Sequence, residues 1–122
     1  MTLESGEKIE TRDLHDNVIL IFYNPDCYHC QREGAAISQH LDAFKNHTLY
    51  FIAASSLENI KQFAEDYHLA GYANILFTQA DGPEVIREMG PMDTPSLFIY
   101  SDGRLVKKFD GETRIEEIMR SL

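Results

Sequence analysis

Positive charge and cysteine are both scarce in this chain. Its 122 residues carry 11 Lys and Arg against 20 Asp and Glu, a formal charge of −9. Nucleic acid and anionic membrane surfaces repel such a balance, so neither is expected as a partner. No apolar run approaches the roughly 20 residues that a membrane helix requires, and the run over 18–23 is strand-sized. Residues 1–8 are polar and do not form a secretory leader, as in a domain excised from a longer exported protein. Repeats, low-complexity tracts and Pro/Gly/Ser-rich linkers are absent, which excludes solenoids and points to a single domain over 1–122. That length suffices to bury one core without staples. With two cysteines, a structural disulfide framework is not expected.

Those two cysteines, Cys27 and Cys30, are the most informative feature present. They follow the buried-strand sequence Val18-Ile19-Leu20-Ile21-Phe22-Tyr23 and open a helical stretch. A C-x-x-C at a strand-to-helix junction puts the first sulfur at the positive end of a helix, where a thiolate is stabilised. The second thiol lies one turn away, within disulfide reach. Half of a zinc site would need two more ligands, and His15, His29, His40, His47 and His68 show no paired spacing. Reversible dithiol chemistry fits the pair best.

Patterning along the chain supplies the rest. A small hairpin is predicted over 3–14, around Gly6. A helix is predicted over 31–46, with Ile37, Leu41 and Phe44 on one face. A second buried strand covers 49–54. Ser55 and Glu58 then form a capping box for a helix carrying Ile60, Phe63, Ala64 and Tyr67. A short strand at 75–78 precedes a brief helix with Val85, Ile86 and Met89, ended by Gly90-Pro91. Strands at 95–100 and 104–109 flank Asp102-Gly103, the strongest hairpin signal in the chain. Thr113 and Glu116 make a second capping box for a final helix with Ile115, Ile118 and Met119. After the hairpin the order is β-α-β-α-β-α-β-β-α, an α/β arrangement with a mixed sheet and helices on both faces.

At this level the chain resembles the thioredoxin fold, and most closely its TlpA-like branch of exported thiol–disulfide oxidoreductases. The strand–C-x-x-C–helix junction, Thr94-Pro95 before a late strand and the Asp102-Gly103 hairpin carry the resemblance. So do the helix–strand unit inserted at 58–78, the early Gly-containing hairpin and the spacing Cys30-x-x-Glu33. The resemblance implies a thioredoxin-like three-layer sandwich. Two positions depart from it. Thioredoxin has a buried Asp where Ile21 stands, and a helix-kinking Pro is common where Ala35 stands.

The resemblance also implies roles. Cys27 would be the nucleophile and Cys30 the resolving thiol. His29 sits where strongly oxidising relatives carry histidine and would stabilise the Cys27 thiolate, while Asp26 would oppose it. Tyr28 would lie exposed beside the sulfurs. Pro95 would be cis, leaving the Thr94 backbone to pair with an extended client segment. Glu33, if partly buried, would take a proton when Cys30 attacks. Met89 and Met92 are read as packing, and Glu112, Glu116 and Glu117 as a solvated helix face.

The leading expectation is therefore a reductant of client-protein disulfides that works with an upstream dithiol donor or acceptor. It would use no cofactor beyond the Cys27–Cys30 disulfide, and would touch a membrane only through an anchor outside this sequence. Periplasm or cell envelope is the compartment implied, with cytoplasm the alternative. Competing readings are a redox-inactive binding module, a metal-transfer domain and a peroxiredoxin-type peroxidase. The last normally needs P-x-x-x-T/S-x-x-C, a spacing that Pro25-Asp26-Cys27 lacks.

Overall fold

Continuously apolar sequence forms the centre of the sheet. In the computed structural model, which describes residues 2–3 and 16–122, strand β2 (Asn17–Phe22) lies inside a six-stranded mixed sheet. It runs parallel to β3 (Thr48–Ala53) and antiparallel to β5 (Ser96–Ser101). Strand β4 (Ile75–Gln79) extends the parallel half, and β6 (Arg104–Asp110) closes the antiparallel half. The two-residue strand β1 (Thr2–Leu3) pairs antiparallel with β4, giving the order β1-β4-β3-β2-β5-β6. Apart from Leu3, the hairpin predicted over 3–14 lies outside the described residues.

Strand residues alternate between two buried faces, so each face needs a helical cover. Val18, Leu20, Phe22, Tyr50, Ile52 and Phe98 share one face with Val85 and Met89 of α3 (Gly82–Met89) and with Met92. Ile19, Ile21, Leu49, Phe51, Phe77 and Leu97 share the other. There they meet α1 (Tyr28–Ser38), α2 (Leu57–Asp66) and α4 (Ile115–Arg120) through Ile37, Ile60, Phe63, Ile115 and Ile118. The outcome is the expected α/β three-layer sandwich, with α2 and β4 as the added helix–strand unit. Asp102 (φ 51°) and Gly103 (φ 78°) form the tight β5–β6 turn, whose left-handed residues match the twist of a hairpin.

Helix α1 is shorter than the 31–46 that periodicity predicts. Ser38 Oγ donates to Ala35 O at 2.7 Å, and His40 Nδ1 lies 3.0 Å from Ala36 O. These side chains take carbonyls that the next turn would use, and the helix stops. A 3₁₀ turn at Leu41–Phe44 then drops Phe44 into the core, which preserves the apolar spacing without the helix. The capping boxes also differ. Ser56, rather than Ser55, caps α2 by accepting from Asn59 N at 3.1 Å. At α4 the N-cap is Arg114, and Thr113 Oγ1 turns back to Gly111 O at 3.1 Å.

Gly34 lets α1 approach α2 closely. A Cβ at that position would meet Phe63 Cζ at 3.0 Å and Leu69 Cδ1 at 3.6 Å. Gly34→Val is expected to cost about 1–3 kcal/mol through overpacking. The measurement is the urea midpoint, which should fall at unchanged slope.

Candidate dithiol site

The chain leaves β2 through an Asx turn. Asn24 Oδ1 accepts from Asp26 N, and Asn24 O accepts from Cys27 N, each at 3.0 Å. This turn places Cys27 at the N-cap of α1 with extended backbone, and its sulfur accepts from Cys30 N at 3.3 Å. A sulfur thus occupies the place where a Ser or Asp oxygen usually satisfies the first free amides. Cys30, one turn in, is only 2% exposed, and both cysteines are free thiols.

Their environments push the two thiols apart. Burial raises Cys27, but bonds from the Cys30 thiol and amide, from Thr94 and from the His29 amide outweigh it, and the net direction is down. Cys30 is pushed up to about 12, first by burial and then by the neighbouring Cys27. One sulfur is thereby disposed to act as thiolate and the other to keep its proton.

A second loop closes over the pair. The Thr94–Pro95 peptide is cis, with Pro95 buried and Thr94 exposed. Thr94 O lies 3.8 Å from Cys27 Sγ, and Thr94 Oγ1 lies 4.0 Å from it. Ser96 secures this loop, its hydroxyl reaching the Asp93 carbonyl and, at 3.2 Å, the Asp110 carboxylate. Tyr28 stands 63% exposed beside the sulfurs, with the Arg32 guanidinium 5.7 Å from its ring centre.

Glu33 is the buried carboxyl of the site, 3% exposed, and accepts from Thr113 N at 3.0 Å. It is pushed up to about 7, mainly by burial, with the Thr113 amide opposing and Glu112 adding. His29 turns to another partner: its Nδ1 lies 2.7 Å from Glu112 Oε1, while Arg32 Nε lies 3.0 Å from Glu112 Oε2. Between α1, the Thr94–Pro95 loop and the β6–α4 loop runs a cleft of about 840 Å³, lined by His29, Arg32, Glu33, Thr94 and Glu112.

The AhpC/TSA family profile matches residues 1–109. The chain belongs to that family. This AhpC/TSA member is 24% identical over 119 residues to the protein disulfide-isomerase of Ricinus communis, across 95% of this chain and 23% of that protein. It spans about a quarter or less of the length of the curated relatives it matches. A secreted Mycobacterium tuberculosis disulfide oxidoreductase homologous to E. coli DsbE has a TM-score of 0.81 at 20% identity, covering 98% of this chain and 90% of that one. StoA from Bacillus subtilis has a TM-score of 0.75 at 18% identity, covering 99% of this chain and 92% of that one. The fold of this AhpC/TSA member is thioredoxin-like.

The site of this AhpC/TSA member brings together Cys27, Tyr28, His29, Cys30, Glu33, Thr94 and Pro95. It also holds three residues that sequence reasoning missed. Asn24 had a local signal, since Asn before Pro favours an Asx turn. Arg32 and Glu112 had none, because Glu112 and His29 are 83 residues apart in sequence. Glu112 is not on the α4 face where it was expected with Glu116 and Glu117; it precedes that helix and turns toward α1. Among the described residues, no group of three or more His, Cys, Asp or Glu side chains is placed to hold a metal ion. No helix among them is long and apolar enough to cross a membrane.

Proposed function

We propose that this protein is a thiol–disulfide oxidoreductase that reduces disulfides of cysteine-containing client proteins. The observation that carries the reading is the pair of thiols on one helix N-terminus, Cys27 at the N-cap facing Thr94 and Cys30 buried one turn in. The Cys27 thiolate attacks a client disulfide, forming a mixed disulfide and releasing one client sulfur as thiolate. Cys30 then gives its proton to Glu33 and attacks Cys27 Sγ. The second client thiolate leaves, Cys27 and Cys30 are joined, and two electrons have passed to the client. An extended client segment pairs with the Thr94 backbone during this exchange. An upstream dithiol restores the reduced pair, and no other cofactor takes part. The secreted M. tuberculosis relative supports a place in the periplasm or cell envelope.

The test is a redox titration of Cys27 and Cys30 in dithiothreitol or glutathione buffers, read by alkylation and mass. A reversible two-electron transition near about −270 mV is expected. A value nearer about −120 to −180 mV would make the protein an oxidant or isomerase. With no reversible transition, a binding module becomes the better reading. Dithiol-dependent consumption of hydrogen peroxide, without turnover of protein disulfides, would favour a peroxidase.

A further inference from the structure

Glu112 joins two parts of the fold that are distant in sequence. From the loop between β6 and α4, its two oxygens take His29 Nδ1 and Arg32 Nε, both on the first turns of α1. The Cys27 sulfur makes its hydrogen-bond contacts with Cys30 N and with Thr94 O and Oγ1. His29 reaches that sulfur through its backbone amide. Resting on the oxidoreductase reading, we propose that Glu112 is a positioning residue, which holds the His29 imidazole and sets its carboxylate at the start of α1 so that the dithiol stays reducing.

The sign follows from thiol–disulfide chemistry. Whatever stabilises the Cys27 thiolate favours the dithiol over the disulfide and makes the disulfide a stronger oxidant. A protonated imidazole without a carboxylate beside it, two residues past Cys27, would add to the field of the helix N-terminus and do just that. Glu112 answers it with a carboxylate that also neutralises Arg32. The remaining charges near the sulfur do not replace this clamp. Asp26 precedes Cys27, Asp93 adjoins Thr94, and Glu33 is buried with one oxygen on Thr113 N. On the cleft wall, Arg114 and Glu116 pair with each other at 3.9 Å.

Glu112→Gln in the full chain tests the assignment by redox titration and by the pH dependence of thiolate absorbance. The expected result is a Cys27 thiolate that forms at lower pH, with the equilibrium shifted about tenfold toward the dithiol. That shift corresponds to a potential less negative by about 30 mV. In a His29→Asn background the same change should have less than half this effect. Glu116→Gln, which removes one charge from the same cleft, should leave both readouts at wild-type values. The proposal is overturned if the wild type titrates reversibly and Glu112→Gln titrates with it. It is equally overturned if the shift is undiminished in the His29→Asn background, or if Glu116→Gln reproduces it. A wild type without any reversible transition would instead sink the oxidoreductase reading itself, and this assignment with it.

Discussion

Replacing Cys30 by serine is expected to stop turnover and leave the client covalently joined to Cys27. Steady-state reduction of a disulfide-bonded test protein should fall by at least roughly 10³-fold, because both sulfurs act as one unit. The adduct should nevertheless form at a rate near that of the wild type, since the attacking sulfur is untouched. Cys27 sits at the helix N-cap, partly open, below the Thr94 carbonyl, and its thiol is the lowered one. Cys30 is buried and pushed up to about 12, unsuited to opening an attack from solvent. Cys27→Ser should therefore give neither turnover nor adduct. Intact-mass measurement under non-reducing conditions decides the matter. An adduct carried by Cys30 in the Cys27→Ser protein would reverse the two roles.

The second large effect falls on Glu33→Gln, which is expected to gain stability while losing rate. In the folded protein Glu33 stands at about 7, against 4.5 for an ordinary carboxyl. Between those two values the folded state keeps a proton that the unfolded chain has released. Unfolding free energy therefore falls as pH rises through this window, and levels off above about 7. Glutamine has no such proton to lose, and its amide oxygen still accepts from Thr113 N. The variant should lack this fall across the window and exceed the wild type at alkaline pH by about 1–3 kcal/mol. Urea titrations across the window measure this.

The kinetic consequence has the opposite sign. Cys30 holds its proton firmly, so closing the mixed disulfide needs a base, and a buried carboxyl near neutrality is suited to that work. Glu33→Gln should slow resolution on the order of 10²-fold. It should also remove the limb of the pH–rate profile that rises as Glu33 ionises. Quenched single-turnover decay of the mixed disulfide separates this step from the first attack. Equal decay rates would reduce Glu33 to an anchor for the Gly111–Thr113 loop.

Much of this could be read along the chain because the signals were local. Residues 18–23 and 49–54 were apolar without interruption, as strands buried on both faces must be. Asp102-Gly103 carried its own turn geometry. The cysteine spacing next to a strand was enough to place both sulfurs at a helix start. What failed depended on partners far away in sequence. The spacing of Ile37, Leu41 and Phe44 suits one long helix, and also a helix broken by Ser38 and His40 that ends in a 3₁₀ turn. Thr113 looked like a cap until Gly111 O took its hydroxyl and Glu33 its amide. Glu33 was legible only through its spacing from Cys30, because nothing nearby in sequence shows that a distant loop covers it. Glu112 was grouped with its helical neighbours for the same reason.

The strand order has one more consequence, for the timing of synthesis. Strand β2, which delivers Cys27, finds β3 within a few tens of residues, but its other neighbour is β5. Asn17 and Ser101, which face each other across that pairing, are 84 residues apart. Thr94 and Pro95 directly precede β5. A ribosome or translocon therefore releases both cysteines long before the loop that covers them exists. During that interval the sulfurs behave as ordinary thiols near about 8.5, open to any oxidant they meet. Sheet closure is thus the moment of maturation: the late hairpin completes the dithiol site in the same step that completes the fold.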